Sequence, residues 1–216
     1  MAAAGKVRVA VLISGRGSNM VALAEAARDP DYPAEIVLVV ANDPEAEGLA
    51  RAAALGLPTR AIDHRGFADR ASFDAALDTA LRESGARLVC LAGFMRILTP
   101  GFVEAWAGRM LNIHPSLLPL FKGTRTHMQA LSAGVRLHGC TVHFVVPELD
   151  AGPIVAQAAV PVREGDDPDS LAARVIVQER RLYPMALALV AGGLAQLDGG
   201  RVVIDTPPPD GVLFSL

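Results

Sequence analysis

The sequence predicts an α/β fold: an open, Rossmann-like, mostly parallel sheet with flanking helices and a late antiparallel strand. Three observations predict it. Short β-branched apolar runs recur along the chain, glycine- or proline-bearing turns follow them, and stretches of helical spacing fill the intervals. Helices between strands are the crossovers that parallel pairing requires. No linker or low-complexity segment divides the chain, so residues 1–216 read as one domain with an exposed, proline-rich tail over 205–216.

Residues 7–13 are an apolar, β-branched run closed by a glycine turn, as a strand buried on both faces should be. Ser18 or Asn19 then caps a helix reaching about Ala27. Residues 35–41 form a second strand, and Asn42-Asp43-Pro44 turns the chain into a helix ended by Gly56-Leu57-Pro58. A short strand at 59–62 precedes a helix over 67–83, with Phe73, Leu77 and Leu81 on one face. Residues 87–92 are the next buried strand, Pro100 opens a short helix, and 110–113 form a fifth strand. A helix over 125–133, strands at 141–146 and 154–162, and a long helix capped by Asp169 or Ser170 and reaching about Val190 follow. A hairpin over 194–204 turns at Gly199-Gly200.

Hydrophobic types make up 51% of the chain, enough for a sizeable core, and 20 basic against 23 acidic residues give a net charge of −3. With no long basic run, a bulk electrostatic grip on nucleic acid has no support. Residues 182–195 are too short for a membrane span and contain Tyr183-Pro184. The apolar run at 7–13 is broken at once by Ser14-Gly15-Arg16-Gly17, unlike a secretory signal. A cytoplasmic protein with no nucleic-acid or membrane partner is expected. Cys90 and Cys140 are too few for a disulfide scaffold or a thiolate zinc site, and the histidines lack metal-ligand spacing, so no metal is expected.

Gly15, Arg16, Gly17, Ser18 and Asn19 follow the first strand. Glycines permit close approach of a ligand, and the helix that follows points free N–H groups at an anion. Met20 stands where Gly-x-Gly-x-x-Gly needs its third glycine, and the Lys-Ser/Thr of a Walker loop is missing. A phosphate cradle and a simple capped βα turn are equally open.

Asn112-Ile113-His114-Pro115-Ser116 is the most informative segment. Two polar residues two apart at a strand end share one face, and open α/β sheets bind ligands at carboxyl ends of strands. Asn donates to a developing oxyanion; His donates or exchanges a proton near neutral pH. Asp150, in a turn-rich loop between two apolar strands, is either a turn cap or a carboxylate that orients or deprotonates a reacting group. His143 stands near that loop, His127 on a helix face and His138 at a segment end. Ser116 lacks the Gly-x-Ser-x-Gly context of a hydrolase nucleophile. Phe94, Met95, Arg96, Ile97 and Leu98 offer an apolar wall and a cation, or core packing with a surface arginine. Arg70 and Lys122 are anion contacts or surface cations, and Glu179 receives an amine or sits on an exposed helix face.

Leu111-Asn112-Ile113-His114-Pro115-Ser116-Leu117-Leu118-Pro119 resembles the phosphoribosylglycinamide formyltransferases, also called glycinamide ribonucleotide transformylases, of the folate-dependent formyltransferase family. The likeness extends to residues 13–19, 92–98, 138–145, 148–153, Gln178-Glu179 and Tyr183-Pro184. It implies 10-formyltetrahydrofolate as formyl donor, glycinamide ribonucleotide as acceptor, no metal, and a monomer or homodimer. It implies Asn112, His114 and Asp150 as catalytic residues. Gly15, Arg16, Gly17, Ser18 and Asn19 would bind the substrate phosphate, with Arg70 and Glu179 as further substrate contacts. Residues 94–98, Asn112, His143, Val145, Val146, Pro147, Glu148, Leu149 and Asp150 would line the folate cleft. Rival readings are hydrolysis of the same folate, formylation of a charged initiator tRNA and folate binding without turnover. The tRNA reading leaves little room in this length for a tRNA-binding domain.

Overall fold

Every residue from Val9 to Ile13 is fully buried, which is what a continuous apolar run demands of a strand flanked on both sides. The computed structural model describes residues 5–205; of the tail expected over 205–216, residues 206–216, including Pro207-Pro208-Pro209, lie outside them. The chain divides into two compact units, Met1–Asn112 and Ile113–Leu216.

In the first unit, β1 (Val7–Ile13) lies between β2 (Ala34–Ala41) and β4 (Leu88–Leu91), both parallel to it. β3 (Thr59–Ala61) pairs with the outer side of β2, and β5 (Met110–His114) with the outer side of β4, again in parallel. The order β3-β2-β1-β4-β5 reverses its direction of growth between β1 and β4. Their carboxyl ends therefore flank a topological switch point, where such sheets take ligands. Helices α1 (Ser18–Ala26), α2 (Glu47–Ala54), α3 (Arg70–Glu83) and α4 (Pro100–Ala105) make the connections.

Two helix starts in the first unit differ from expectation. Gly17, not Ser18 or Asn19, caps α1, in the left-handed conformation and with no side-chain bond. α3 begins at Arg70 rather than 67, because Asp69 and Ser72 form a reciprocal capping box and Phe67 stays extended. The Phe67 ring instead packs edge-on against Phe73, 5.6 Å between centroids. Thr99 caps α4 ahead of Pro100, as the proline predicted.

In the second unit, β6 (Leu137–Phe144) and β7 (Ile154–Pro161) form the late antiparallel pair. β6 starts and stops earlier than the expected 141–146, leaving Val145, Val146 and Pro147 to the loop that carries Asp150. Gly139 permits the close β6–β7 approach: a Cβ there would overlap the Ala158 carbonyl oxygen. Helix α5 (Thr126–Ser132) precedes β6. Helix α6 (Pro168–Ala191) buries Leu171, Val175, Leu182, Tyr183, Ala186 and Leu187 along one stripe. Its cap is Asp167, not Asp169 or Ser170; Ser170 is the answering member of the capping box. β8 (Ala195–Asp198) and β9 (Arg201–Ile204) form the expected hairpin, with positive φ at both Gly199 and Gly200. No described helix is long and apolar enough to cross a membrane.

Candidate functional site

In the second unit, His114 ends β5 with its side chain buried, and the buried Asp150 carboxylate faces it. His114 Nδ1 lies 3.5 Å from Asp150 Oδ2. On the other side of the ring, His114 Nε2 donates to the Phe121 carbonyl at 3.0 Å. A carbonyl only accepts, so Nε2 carries the proton and Nδ1 is the position turned to the carboxylate. A second proton, on Nδ1, would point an N–H at Asp150 and make the ring cationic.

Two loops fix this geometry. Thr141 Oγ1 donates to the Ser116 carbonyl at 2.7 Å, and accepts from Leu118 N at 3.0 Å and Gln157 Nε2 at 2.9 Å. Gln157 Nε2 also donates to the Leu118 carbonyl at 2.9 Å, and Ser116 Oγ to the Leu120 carbonyl at 2.6 Å. The buried Ser116 hydroxyl is thus a loop tie. This network carries the chain to Phe121, whose φ of 56° directs it onward to Gly123. Gly123 N donates to Asp150 Oδ2 at 2.8 Å.

Asp150 itself has a φ of 49°, and its loop returns to β6 where Phe144 N donates to the Pro153 carbonyl at 2.9 Å. A Cβ on Gly152 would overlap the Phe144 carbonyl oxygen, so glycine is what allows that return. Asp150 is therefore more than a turn cap: its carboxylate is buried beside two histidines. The second is His143, whose Nε2 lies 3.9 Å from Asp150 Oδ1 while Nδ1 donates to the Phe144 carbonyl at 2.8 Å. Burial, first of all, lowers the pKa of His143; the Phe144 carbonyl and Asp150 oppose that shift.

Val145 and Val146 are half-buried, and Pro147, Glu148 and Leu149 are exposed, so this loop presents an edge to solvent. Lys122 Nζ approaches Glu148 at 3.9 Å. His138 does not end a segment: it is fully buried within β6, and its Nε2 meets His127 Nδ1 at 3.1 Å. Burial pushes His138 down to about 4, and lowers His127 as well. Glu179, expected on an exposed helix face, is buried on α6. Burial and the Glu179 charge raise the Cys140 thiol well above its ordinary range.

In the first unit, Asn112 lies opposite Leu91, at the carboxyl ends of β5 and β4. It shares a face of β5 with His114, two residues on. Gly15 and Arg16 are exposed, and a Cβ on Gly15 would meet nothing within 4 Å. Gly17 and Gly48 pack backbone to backbone, and Gly48 N donates to the Gly15 carbonyl at 3.0 Å. Ser18 and Asn19 form the first turn of α1. Arg70 is the exposed first residue of α3.

Residues 94–98 have no regular structure. Phe94 and Arg96 are half-buried, Leu98 is buried, and Met95 and Ile97 are 76% and 64% exposed. The Arg96 guanidinium lies 5.9 Å from the Phe73 ring centroid. Among the described residues, no group of three or more His, Cys, Asp or Glu is placed to hold a metal ion.

The formyl transferase family model matches residues 7–187. The chain belongs to the formyl transferase family. It is 42% identical to the phosphoribosylglycinamide formyltransferase of Escherichia coli, over 95% of this chain and 98% of that protein. The solved glycinamide ribonucleotide transformylase 1 of Symbiobacterium toebii superimposes with a TM-score of 0.89 at 44% identity, covering 92% of this chain and 94% of that one. The trifunctional purine biosynthetic protein adenosine-3 of Bos taurus is 52% identical over 91% of this chain, which spans only 20% of that protein's length.

The motifs at Asn112, His114 and Asp150 were visible in the sequence of this formyl transferase family member. The Thr141 knot and the His127–His138 pair were not. Both join residues distant along the chain, and β6, buried at every residue from His138 to Phe144, gives no local pattern that singles them out.

Proposed function

We propose that the chain transfers the formyl group of 10-formyltetrahydrofolate to the amine of glycinamide ribonucleotide. One observation carries this reading: His114 is held between Asp150 and the Phe121 carbonyl, two residues beyond Asn112, in a chain matching the formyl transferase family. The amine attacks the formyl carbon, a C–N bond forms, and the carbonyl oxygen becomes an oxyanion. Asn112 Nδ2 and the protonated His114 ring stabilise that charge. For this the formyl oxygen replaces the Phe121 carbonyl at His114 Nε2. Asp150 sustains the charged ring from Nδ1 and accepts the attacking amine's proton through a water. The oxyanion then collapses to the carbonyl, the C–N bond to the folate breaks, and the folate nitrogen takes the proton that Asp150 received.

Binding follows the same division. The turn at Gly15, Arg16, Gly17, Ser18 and Asn19, exposed at its first two residues, takes the phosphate at the amino end of α1, with Arg70 as a further cation and Glu179 as a contact to the amine or ribose. Residues 94–98 and 145–150, with His143, receive the reduced folate. Their exposed apolar side chains Met95, Ile97 and Leu149 favour a flat aromatic ligand. No metal takes part, the partners are small molecules, and the cytoplasm is the site of action. Incubation of purified protein with both substrates tests the reading: formylated product and tetrahydrofolate should appear together. Formate released without the amine would mean hydrolysis instead, and folate binding without turnover would mean a binding module.

A further inference from the structure

The hydroxyl of Ser14 is the point at which the carboxyl ends of β1, β2 and β4 are tied together. Ser14 Oγ accepts from Met95 N at 2.7 Å and stands 2.5 Å from Asn42 Oδ1. That second separation suits O–H···O rather than N–H···O, so the hydroxyl donates to Asn42 and accepts from Met95. Ser14 N also donates to the Gly93 carbonyl at 3.1 Å. Asn42 is buried, and its own N–H reaches the Ile13 carbonyl at 3.4 Å. On its far side, His64 Nδ1 lies 2.8 Å from the Asn42 carbonyl and 3.2 Å from Asn42 Nδ2.

Residues 93–98 need this tie. They leave β4 with no regular structure, Gly93 takes a φ of 77°, and the large side chains Met95 and Ile97 project outward rather than anchoring in the core. Leu98 anchors the far end of the segment in the core, and backbone hydrogen bonds set the path of the chain ahead of it. Ser14 supplies two of them, one from its backbone and one from its side chain.

We propose that Ser14, oriented by Asn42, is a positioning residue: it fixes residues 93–98 in the conformation that receives the folate donor. This rests on the assignment of that segment to the donor. Ser14 immediately precedes the turn assigned to the acceptor's phosphate, yet its hydroxyl bonds to Met95 and Asn42 and not to that turn. The hydroxyl thus acts on one substrate and not the other.

Ser14→Ala and Ser14→Thr, compared with wild type, test the proposal by steady-state kinetics and by amide hydrogen exchange at Met95. Ser14→Ala should raise the donor KM roughly tenfold, the loss expected of one well-formed hydrogen bond. The acceptor KM should stay within about twofold, and Met95 N–H should exchange faster, as loss of its acceptor requires. Ser14→Thr, which keeps the hydroxyl, should restore the donor KM and the protection. Equal change in both KM values, or unaltered exchange at Met95 in Ser14→Ala, would overturn the proposal. If the wild-type protein bound no reduced folate, the assignment of residues 93–98 to the donor would fail with it. The exchange data would then still show whether the hydroxyl holds Met95.

Discussion

Oδ2 of Asp150 lies 3.5 Å from Nδ1 of His114 and accepts the backbone N–H of Gly123 at 2.8 Å. One carboxylate oxygen thus both faces the histidine and pins the loop whose Phe121 carbonyl holds the opposite ring nitrogen. The positions of His114 and of the loop around it depend on the same atom.

Replacing Asp150 by Asn keeps an acceptor for Gly123 N and removes the negative charge. Turnover should fall by about a hundredfold or more, the scale of lost acid-base assistance, while the melting temperature changes little. Rapid-quench kinetics with circular dichroism checks both. Full turnover in a folded Asp150→Asn variant would show that the charge does not matter.

Thr141→Val tests the knot beneath the site. The methyl keeps the shape, but Leu118 N, Gln157 Nε2 and the Ser116 carbonyl lose their shared partner. Buried groups left unsatisfied should cost about 2–3 kcal/mol in urea unfolding. The Phe121 carbonyl should also lose its hold on His114, visible as a changed Nε2 chemical shift. A loss under about 0.5 kcal/mol would mean that water replaces the hydroxyl.

Gly139→Ala should destabilise by about 1–3 kcal/mol, because the added methyl must push β7 away at Ala158. At Gly15 the same substitution meets open space, so it should leave stability nearly unchanged and act on acceptor binding. Paired unfolding and KM measurements separate the two effects; equal destabilisation by both substitutions would contradict the packing described.

Acid should weaken the fold through the buried histidines. His138 is pushed down to about 4, and His127 and His143 are lowered as well. The unfolded chain, with ordinary histidines near 6.5, takes up protons first as pH falls, so stability drops from about pH 6.5 toward pH 4 and is level above that window. A second proton on the His127–His138 pair would set N–H against N–H across 3.1 Å. Urea midpoints measured across that range should fall; a flat profile would show that the pair is not buried neutral.

Much of this was legible in the sequence. The apolar run at Val7–Ile13 announced a strand buried on both faces, and the Asn112/His114 spacing placed two polar groups on one face of a strand end. Boundaries were less legible where capping decided them. Asp69 displaced an earlier start at 67 and Asp167 displaced the later Asp169 and Ser170, because each finds a serine three positions on that completes a box, and Gly17 reaches a left-handed turn that Ser18 cannot enter as easily. Glu179 looked like a surface residue because of its charge, although its spacing from Leu171, Val175 and Tyr183 puts it on the buried stripe of α6. The tie between Ser14 and Met95, 81 residues apart, is likewise set only when β1 and β4 lie side by side.

The most direct measurement is single-turnover formyl transfer by wild type and by His114→Asn, with 10-formyltetrahydrofolate and glycinamide ribonucleotide, alongside donor binding by fluorescence. Amine-dependent product should form with wild type. His114→Asn should bind the donor normally but transfer at least about a hundredfold more slowly, as loss of a transition-state contact requires. No product from wild type, or undiminished transfer by a folded His114→Asn variant, would contradict the account.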